Sequence, residues 1–331
     1  MAVTIHDVAK AAGVSHTTVS WTIHGHPGIT EETKARVLKA IEELDYHPNY
    51  LARSLVSGKT HTIAVVASFF SSPYEMEVMK GIEQAIVETP SGYLITLYST
   101  LNEDERVLKE IVHGRRADAA IALSICPSEE TVALYQKNKI PLVVIDENAP
   151  GTLGIQLDNF QGGYAGTEHL LSRGRKKPGL VIGSVGEYYH LSQRERKRGF
   201  IQALVERNIS YDPSMILSIE NYYFEEGKAV LDKALELGMD SLFCAAGDEV
   251  AMGILFAAKN RGLDIPSELS LVGYDDISGA ALVTPALTTV NQPLSHIGKC
   301  AYQETLALLK SCVFEEKTIL YKPKLIVRAS S

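Results

Sequence analysis

A chain of 331 residues, 45% hydrophobic and 22% charged, has the make-up of a soluble globular protein and the length for two or three domains. The formal charge is −8, no run of about 18 apolar residues offers a membrane helix, and the N-terminus lacks the apolar core of a secretory signal, so a cytoplasmic protein is expected. Cys126, Cys244, Cys300 and Cys312 are widely spaced with no C-x-x-C pair, which excludes a disulfide framework or a zinc site and predicts four reduced core thiols.

The first element predicted is a helix over Ile5–Ala12, capped by Thr4 with Asp7 in the reciprocal position, its Ile5, Val8, Ala9 and Ala12 forming one apolar stripe. Gly13 breaks it, and Ser15 caps a second helix running to about His24. The A-G-V-S connection has the length of a helix-turn-helix turn, with Val14, Val19 and Ile23 facing inward. A third helix begins after Thr30, backed by Glu31 and Glu32 at its positive end. It runs to about Leu44 with Val37, Leu38, Ile41 and Leu44 inward, and Pro48 stops it. "NYLARSLVSGKTHT" (49–62) holds a short possible helix with too little apolar surface to fold alone, so it reads as a conditional linker.

From Ile63 the runs "TIAVVAS", "YLITLYS", "AAIALS", "PLVVID", "GLVIG", "SLFCAA" and "LSLVGYD" alternate with segments of helical period such as Met76 to Thr89 and Tyr164 to Ser172. Unalternated strands interleaved with helices predict parallel sheets covered on both faces, and their number predicts two α/β halves with a seam near residue 158. The fold class expected is therefore α/β, with a three-helix helix-turn-helix head and a short hinge helix preceding two parallel-sheet subdomains.

In a helix-turn-helix the second helix enters the major groove and its first turn touches base edges. That assigns DNA contact to Ser15, His16, Thr17, Thr18 and Ser20, with Trp21 one turn on, and adds Thr4 at the first helix N-terminus. Trp21 is either a ring that packs on a thymine methyl or a core residue. Residues 1–58 carry five basic side chains (Lys10, Lys34, Arg36, Lys39, Arg53) against six acidic ones (Asp7, Glu31, Glu32, Glu42, Glu43, Asp45), which is no basic patch and predicts a shallow salt dependence. Five histidines crowd the first 50 positions; His24 and His26 have no cysteine partner, and no metal is assigned.

In the body, side chains just after predicted strands converge on the crevice where parallel sheets bind small ligands. They are Phe69, Phe70 and Tyr74 after the first, Ser124 after the third, Asp146 after "PLVVI", Asp248 after "SLFCAAG" and Asp275 after "SLVGY"; His190 is a further candidate. Aromatic faces with carboxylates and an arginine suit a sugar or similar polyol. No G-x-G-x-x-G, G-x-S-x-G or G-x-x-x-x-G-K-[ST] motif and no acid/base couple supports an enzyme, and no cofactor is assigned.

"TIHDVAKAAGVSHTTVSWTIHGHPGITEETKARVLKAIEELDYHPNYLARSLVSGKT" resembles the DNA-binding and hinge segment of the LacI/GalR (lactose-repressor/galactose-repressor) family. Downstream "DN", "HLL", "R-K-R-G-F", "GDEVAMG", "RGLDIPSELSLVGYDD" and "PALTTVNQP" follow that family's landmarks in order. The resemblance implies a homodimer on a pseudo-palindromic double-stranded operator, with a hinge helix around Asn49 to Leu55 in the minor groove. There Ala52 lies at the groove floor and Leu55 is the wedge between base steps. It implies a body of periplasmic-binding-protein type, with Arg196 gripping the effector, Tyr222 against it, and Tyr74, Asp146 and Asp275 as contacts. Two departures stand out: Trp21 where many relatives carry Arg, and Gly247 where many carry Asn.

The domains expected are a head over 1–48, a hinge over 49–61 and an effector-binding and dimerisation body over 62–331. Its N-subdomain spans about 62–158 plus 290–315, and its C-subdomain about 159–289 plus 316–331. The function expected is a ligand-responsive transcription repressor sensing a sugar or sugar derivative, with no membrane partner and no catalysis. A regulator of a purine or another metabolite, a solute-binding protein without DNA, and a sugar-modifying enzyme stand as the other readings. Whether effector releases or tightens DNA is left open.

Overall fold

A computed structural model describes residues 3–23, 26–46, 58–101, 103–147, 149–183, 191–311 and 316–331. Asn49, Ala52, Leu55, His190, His24 and Cys312 lie outside the described residues. The chain forms two compact units, Met1–Thr60 and His61–Ser331.

The head is three helices, α1 (Ile5–Ala12), α2 (His16–Ile23) and α3 (Glu31–Glu43). Thr4 closes a capping box on α1: its hydroxyl accepts from Asp7 N and donates to Asp7 Oδ2 (2.7 Å), while Thr4 N donates to the same carboxylate (2.8 Å). Gly13 ends α1 at φ 66°, a left-handed conformation glycine reaches without penalty, and turns the chain into α2. Ser15 Oγ then accepts from Thr18 N at 3.1 Å. The core is Val8, Ala9, Ala12, Val19, Val37, Ala40 and Tyr46. Its small alanines let the helices approach closely. Leu38, expected inward, is 49% exposed; Val37 and Ala40 take the core-facing positions of α3 instead.

The body holds two six-stranded sheets. In the first, β1 (Thr62–Ala67), β2 (Leu94–Ser99), β3 (Ala119–Leu123), β4 (Leu142–Ile145), β5 (Leu153–Leu157) and β11 (Lys317–Tyr321) lie in the order β11-β5-β4-β3-β1-β2, all parallel. In the second, β6 (Pro178–Gly183), β7 (Ile216–Ile219), β8 (Ser241–Cys244), β9 (Ser270–Asp275), β10 (Thr288–Asn291) and β12 (Lys324–Ile326) lie in the order β12-β10-β9-β8-β6-β7, with only β12 antiparallel. Both faces of each sheet are covered. Ile63, Val65 and Ala67 of β1 pack beneath helices α4 (Pro73–Glu88) and α11 (Leu294–Ser311), while Ala64 and Val66 face α5 (Asp104–His113) and α6 (Glu129–Lys137). Helices α7 (Asn159–Ser172), α8 (Leu191–Glu206), α9 (Glu226–Glu236) and α10 (Asp248–Asn260) cover the second sheet. Burial on both faces is why these strands read as unbroken apolar runs.

The backbone crosses between the lobes three times: at Asp158, at Gln292–Pro293 and at Lys322–Pro323. Two expected boundaries are corrected. Residues 316–331 do not all join the second lobe, because Lys317–Tyr321 pairs with Leu153–Leu157 in the first sheet and only the chain beyond it crosses back. The second crossing also falls later than residue 290, since all of β10 pairs with β9. Of the cysteines, Cys244 is buried, Cys300 is half-buried, and Cys126, expected in the core, is exposed in the loop after β3. Among the described residues no helix is long and apolar enough to cross a membrane.

Candidate functional site

On the head, α2 buries only Val19 and Thr22, so most of its surface is free. Ser15, His16, Thr17 and Trp21 are exposed, and Thr18 and Ser20 are half-buried. Ser15 and Thr18 hydroxyls bond each other at 2.9 Å, and Thr22 Oγ1 donates to Thr18 O, so the polar side chains of the first turn are held in place. Trp21 is not core: it is 46% exposed, and its ring stacks on His26 with centroids 4.6 Å apart and planes at 14°. His26 N donates to Trp21 O, and His26 Nδ1 accepts from Gly28 N at 3.2 Å. The head thus presents an exposed aromatic pair with small hydroxyls and an imidazole beside it, a surface able to meet base edges and methyl groups.

In the body, a cavity of about 420 Å³ opens between the two lobes at the carboxyl ends of the strands. Of the predicted contacts, Phe69, Tyr74, Ser124, Asp146, Arg196, Tyr222 and Asp275 line it. Ser124, Asp146 and Asp275 have φ of 52°, 67° and 105°, a left-handed backbone in residues that have a Cβ. Strain of this kind, at the ends of three strands, aims their side chains into the cavity instead of along the sheet. Phe70 packs into the first lobe's core and is not among the lining residues.

Arg196 is 4% exposed on the buried face of α8. Its Nε donates to Asn159 Oδ1 and its Nη1 to Ala245 O, both at 2.8 Å, and its guanidinium carbon lies 3.7 Å from the Tyr274 ring centroid. Tyr274 OH donates to the same Asn159 oxygen at 3.1 Å. Asn159, in the first turn of α7 just after the Asp158 crossing, therefore holds the arginine in place. Burial opposes the Arg196 charge, but Tyr274, Asp275 and Asp146 around it raise its pKa further above the ordinary range.

Carboxyls dominate the remaining charge. Asp275 is pushed up to about 7, by burial first and by Asp146 next to it, against the pull of Arg196 and the Gln292 amide that donates to it. Glu75 is pushed up to about 7 by burial and by Asp275, Asp146 and Glu249; Ser72 Oγ donates to it. Asp248 is a correction: its side chain is fully buried, accepts from Thr289 Oγ1 (2.6 Å) and Ile277 N (3.0 Å), and is not among the lining residues. It ties α10 to β10 and the loop after β9. Its neighbour Glu249 lines the cavity, as do Glu75, Gln193 and Glu220, none of them anticipated. Two were legible: Glu75 adjoins Tyr74 in the first turn after β1, and Gln193 precedes Arg196 by one helical turn. Among the described residues no three His, Cys, Asp or Glu side chains converge as metal ligands would.

A helix presented on a small head, and a two-lobed α/β body with a polar cavity between its lobes, define a class of protein: a DNA-binding regulator that carries a ligand-binding body. Two family models match the chain, "Bacterial regulatory proteins, lacI family" over residues 4–49 and the "Periplasmic binding protein-like domain" over 167–331. The HTH-type transcriptional repressor PurR of Actinobacillus pleuropneumoniae serotype 3 (strain JL03) is 32% identical over 338 residues, covering 99% of this chain and 98% of that protein. The protein of the same name from Edwardsiella ictaluri (strain 93-146) is 34% identical over 334 residues, with 99% and 96% covered. The chain belongs to the lacI family of bacterial regulatory proteins; it is a transcription regulator and not an enzyme. Among solved structures, the lac repressor dimer bound to operator and the anti-inducer ONPF superposes with a TM-score of 0.82 at 22% identity, covering 100% of this chain and 99% of that one. The CelR–cellobiose complex superposes with a TM-score of 0.71 at 25% identity, with 99% and 100% covered.

Proposed function

We propose that this regulator is a cytoplasmic, homodimeric repressor that reads a pseudo-palindromic operator with α2 and takes a small hydroxyl-bearing effector into the cavity between its lobes. One observation carries the reading: the cavity is lined from both lobes, which are joined by three backbone crossings and, among the described residues, bridged by side-chain bonds such as Ser278 Oγ to Glu77 Oε1 at 2.6 Å. A ligand that touches both sides favours one angle between them, and a change of angle is what a paired head can read. The aromatic rings and carboxyls suit sugar faces and hydroxyls more than a flat base. Support comes from relatives that are repressors by name, from a neighbour solved as a dimer on operator, and from neighbours solved with cellobiose and with ribose. Exposed Val87, Leu94, Leu97 and Leu101 on the first lobe, with Phe256 and Leu282 on the second, supply apolar surface for a second copy. The roles of Asn49, Ala52 and Leu55 in a hinge rest on the family resemblance.

The test is selection of bound sites from random duplex DNA by the full-length chain. The expected outcome is one enriched pseudo-palindrome, with Trp21→Ala altering preference at one base step in each half-site. No enrichment over random competitor, with and without metabolites, ends the proposal. An unchanged profile for Trp21→Ala removes that residue from base readout.

A further inference from the structure

Resting on the cavity as the effector site, we propose that the effector is a small polyhydroxylated molecule bearing a protonated amine, an amino sugar by class. The charge of the lining is the first argument. Among the described lining residues, Glu75, Glu220, Glu249 and Asp275 stand beside a single cationic side chain, Arg196. That arginine is fixed in place by Asn159 Oδ1, Ala245 O and the Tyr274 ring, and its one positive charge is outnumbered by the carboxyls around it. An anionic ligand meets a field of its own sign. A neutral polyol displaces water from the carboxyls and leaves their mutual repulsion in place. An ammonium offsets that repulsion and brings three hydrogen-bond donors.

A second observation is independent of charge. Gln193 is 5% exposed, lines the same cavity, and its Oε1 has no hydrogen-bond partner. A buried acceptor left open beside carboxyls calls for a donor on the ligand. A bare metal ion does not meet this need, because among the described residues the acids do not gather on a point. They ring a cavity whose volume of about 420 Å³ is at the small end for ligand pockets and suits a single sugar unit. The raised carboxyls Glu75 and Asp275 hold protons that a bound ammonium replaces.

The experiment is calorimetric titration of the full-length protein near neutral pH with glucosamine, galactosamine and mannosamine, each beside its parent hexose and its N-acetyl form. At least one amine is expected to bind about tenfold or more tightly than both neutral counterparts. That preference shrinks in Glu75→Gln and in Glu249→Gln, and binding is accompanied by proton release measured across buffers of different ionisation enthalpy. A parent hexose that matches or beats its amine overturns the amine and leaves the sugar-binding cavity standing. If no member binds, the effector reading of the cavity falls with it. Amine preference that is unmoved in both variants overturns the role given to the carboxyls.

Discussion

Glu249 and Asp248 are neighbours, yet one lines the cavity and the other is sealed in the second lobe, because α10 begins directly after Gly247, whose positive φ suits glycine and turns Asp248 inward. Gly247 stands at φ 129°, and a Cβ there would lie 3.1 Å from Asp275 Oδ2. The backbone that makes room for Asp275 thus turns Asp248 away, where burial and Asp275 raise its pKa well above the ordinary range. Raised carboxyls carry a stability consequence. A carboxyl whose folded pKa is raised contributes stability while protonated, fully present below the unfolded value near 4 and lost as pH climbs through about 7. For Glu75, faced by Asp275, Asp146 and Glu249 with Tyr74 beside it and Arg196 across the cavity, the loss is on the order of 3 kcal/mol over that window. The thermal midpoint of the body is expected to fall between pH 5 and pH 8, and Glu75→Gln to flatten part of that fall. A calorimetric scan that shows no pH slope in the wild-type chain contradicts the burial assigned to these groups.

At the level of elements, the lobes are assembled by helices that touch backbone to backbone. A Cβ on Gly298 of α11 would meet Val78 O at 2.0 Å, and one on Gly81 of α4 would meet Ser295 O at 1.9 Å. This contact binds α11, which follows the second crossing, to the first lobe. Gly298→Ala is expected to destabilise the body by about 1–3 kcal/mol, read as a lower denaturant midpoint with an unchanged slope. Small residues permit the contact, but a sequence shows only that they are small. The same limit governed the strands. The long apolar runs of β1, β3, β4, β6, β8 and β9 were legible because a strand buried on both faces must be apolar throughout. "ILSI", "TTVN", "KTILY" and "KLI" are short and partly polar, and their partners are set by register with distant strands. That is why β11 was assigned to the wrong lobe.

For the whole molecule, charge sets how the regulator meets DNA. Five basic against six acidic residues in positions 1–58 leave phosphate binding to backbone N–H groups, hydroxyls and few cations. The logarithmic slope of operator affinity against salt is expected to be shallow, no steeper than about −5 for the dimer. Filter-binding or anisotropy titrations across a salt series check this; a slope near −10 would require essentially every Lys and Arg of positions 1–58 in both heads to contact phosphate, and overturns the expectation.

The helical head, the cap residues, the alternating α/β texture and most of the cavity's predicted lining were determined by the sequence alone, because each depends on periodicity, capping chemistry or position at a strand end. Tertiary structure alone decided the exposure of Trp21, the burial of Asp248, the lobe of β11 and the gathering of five carboxyls around one engaged arginine. Those outcomes depend on which distant segments share space, and hydrophobic burial brings them together without leaving a local mark on the chain.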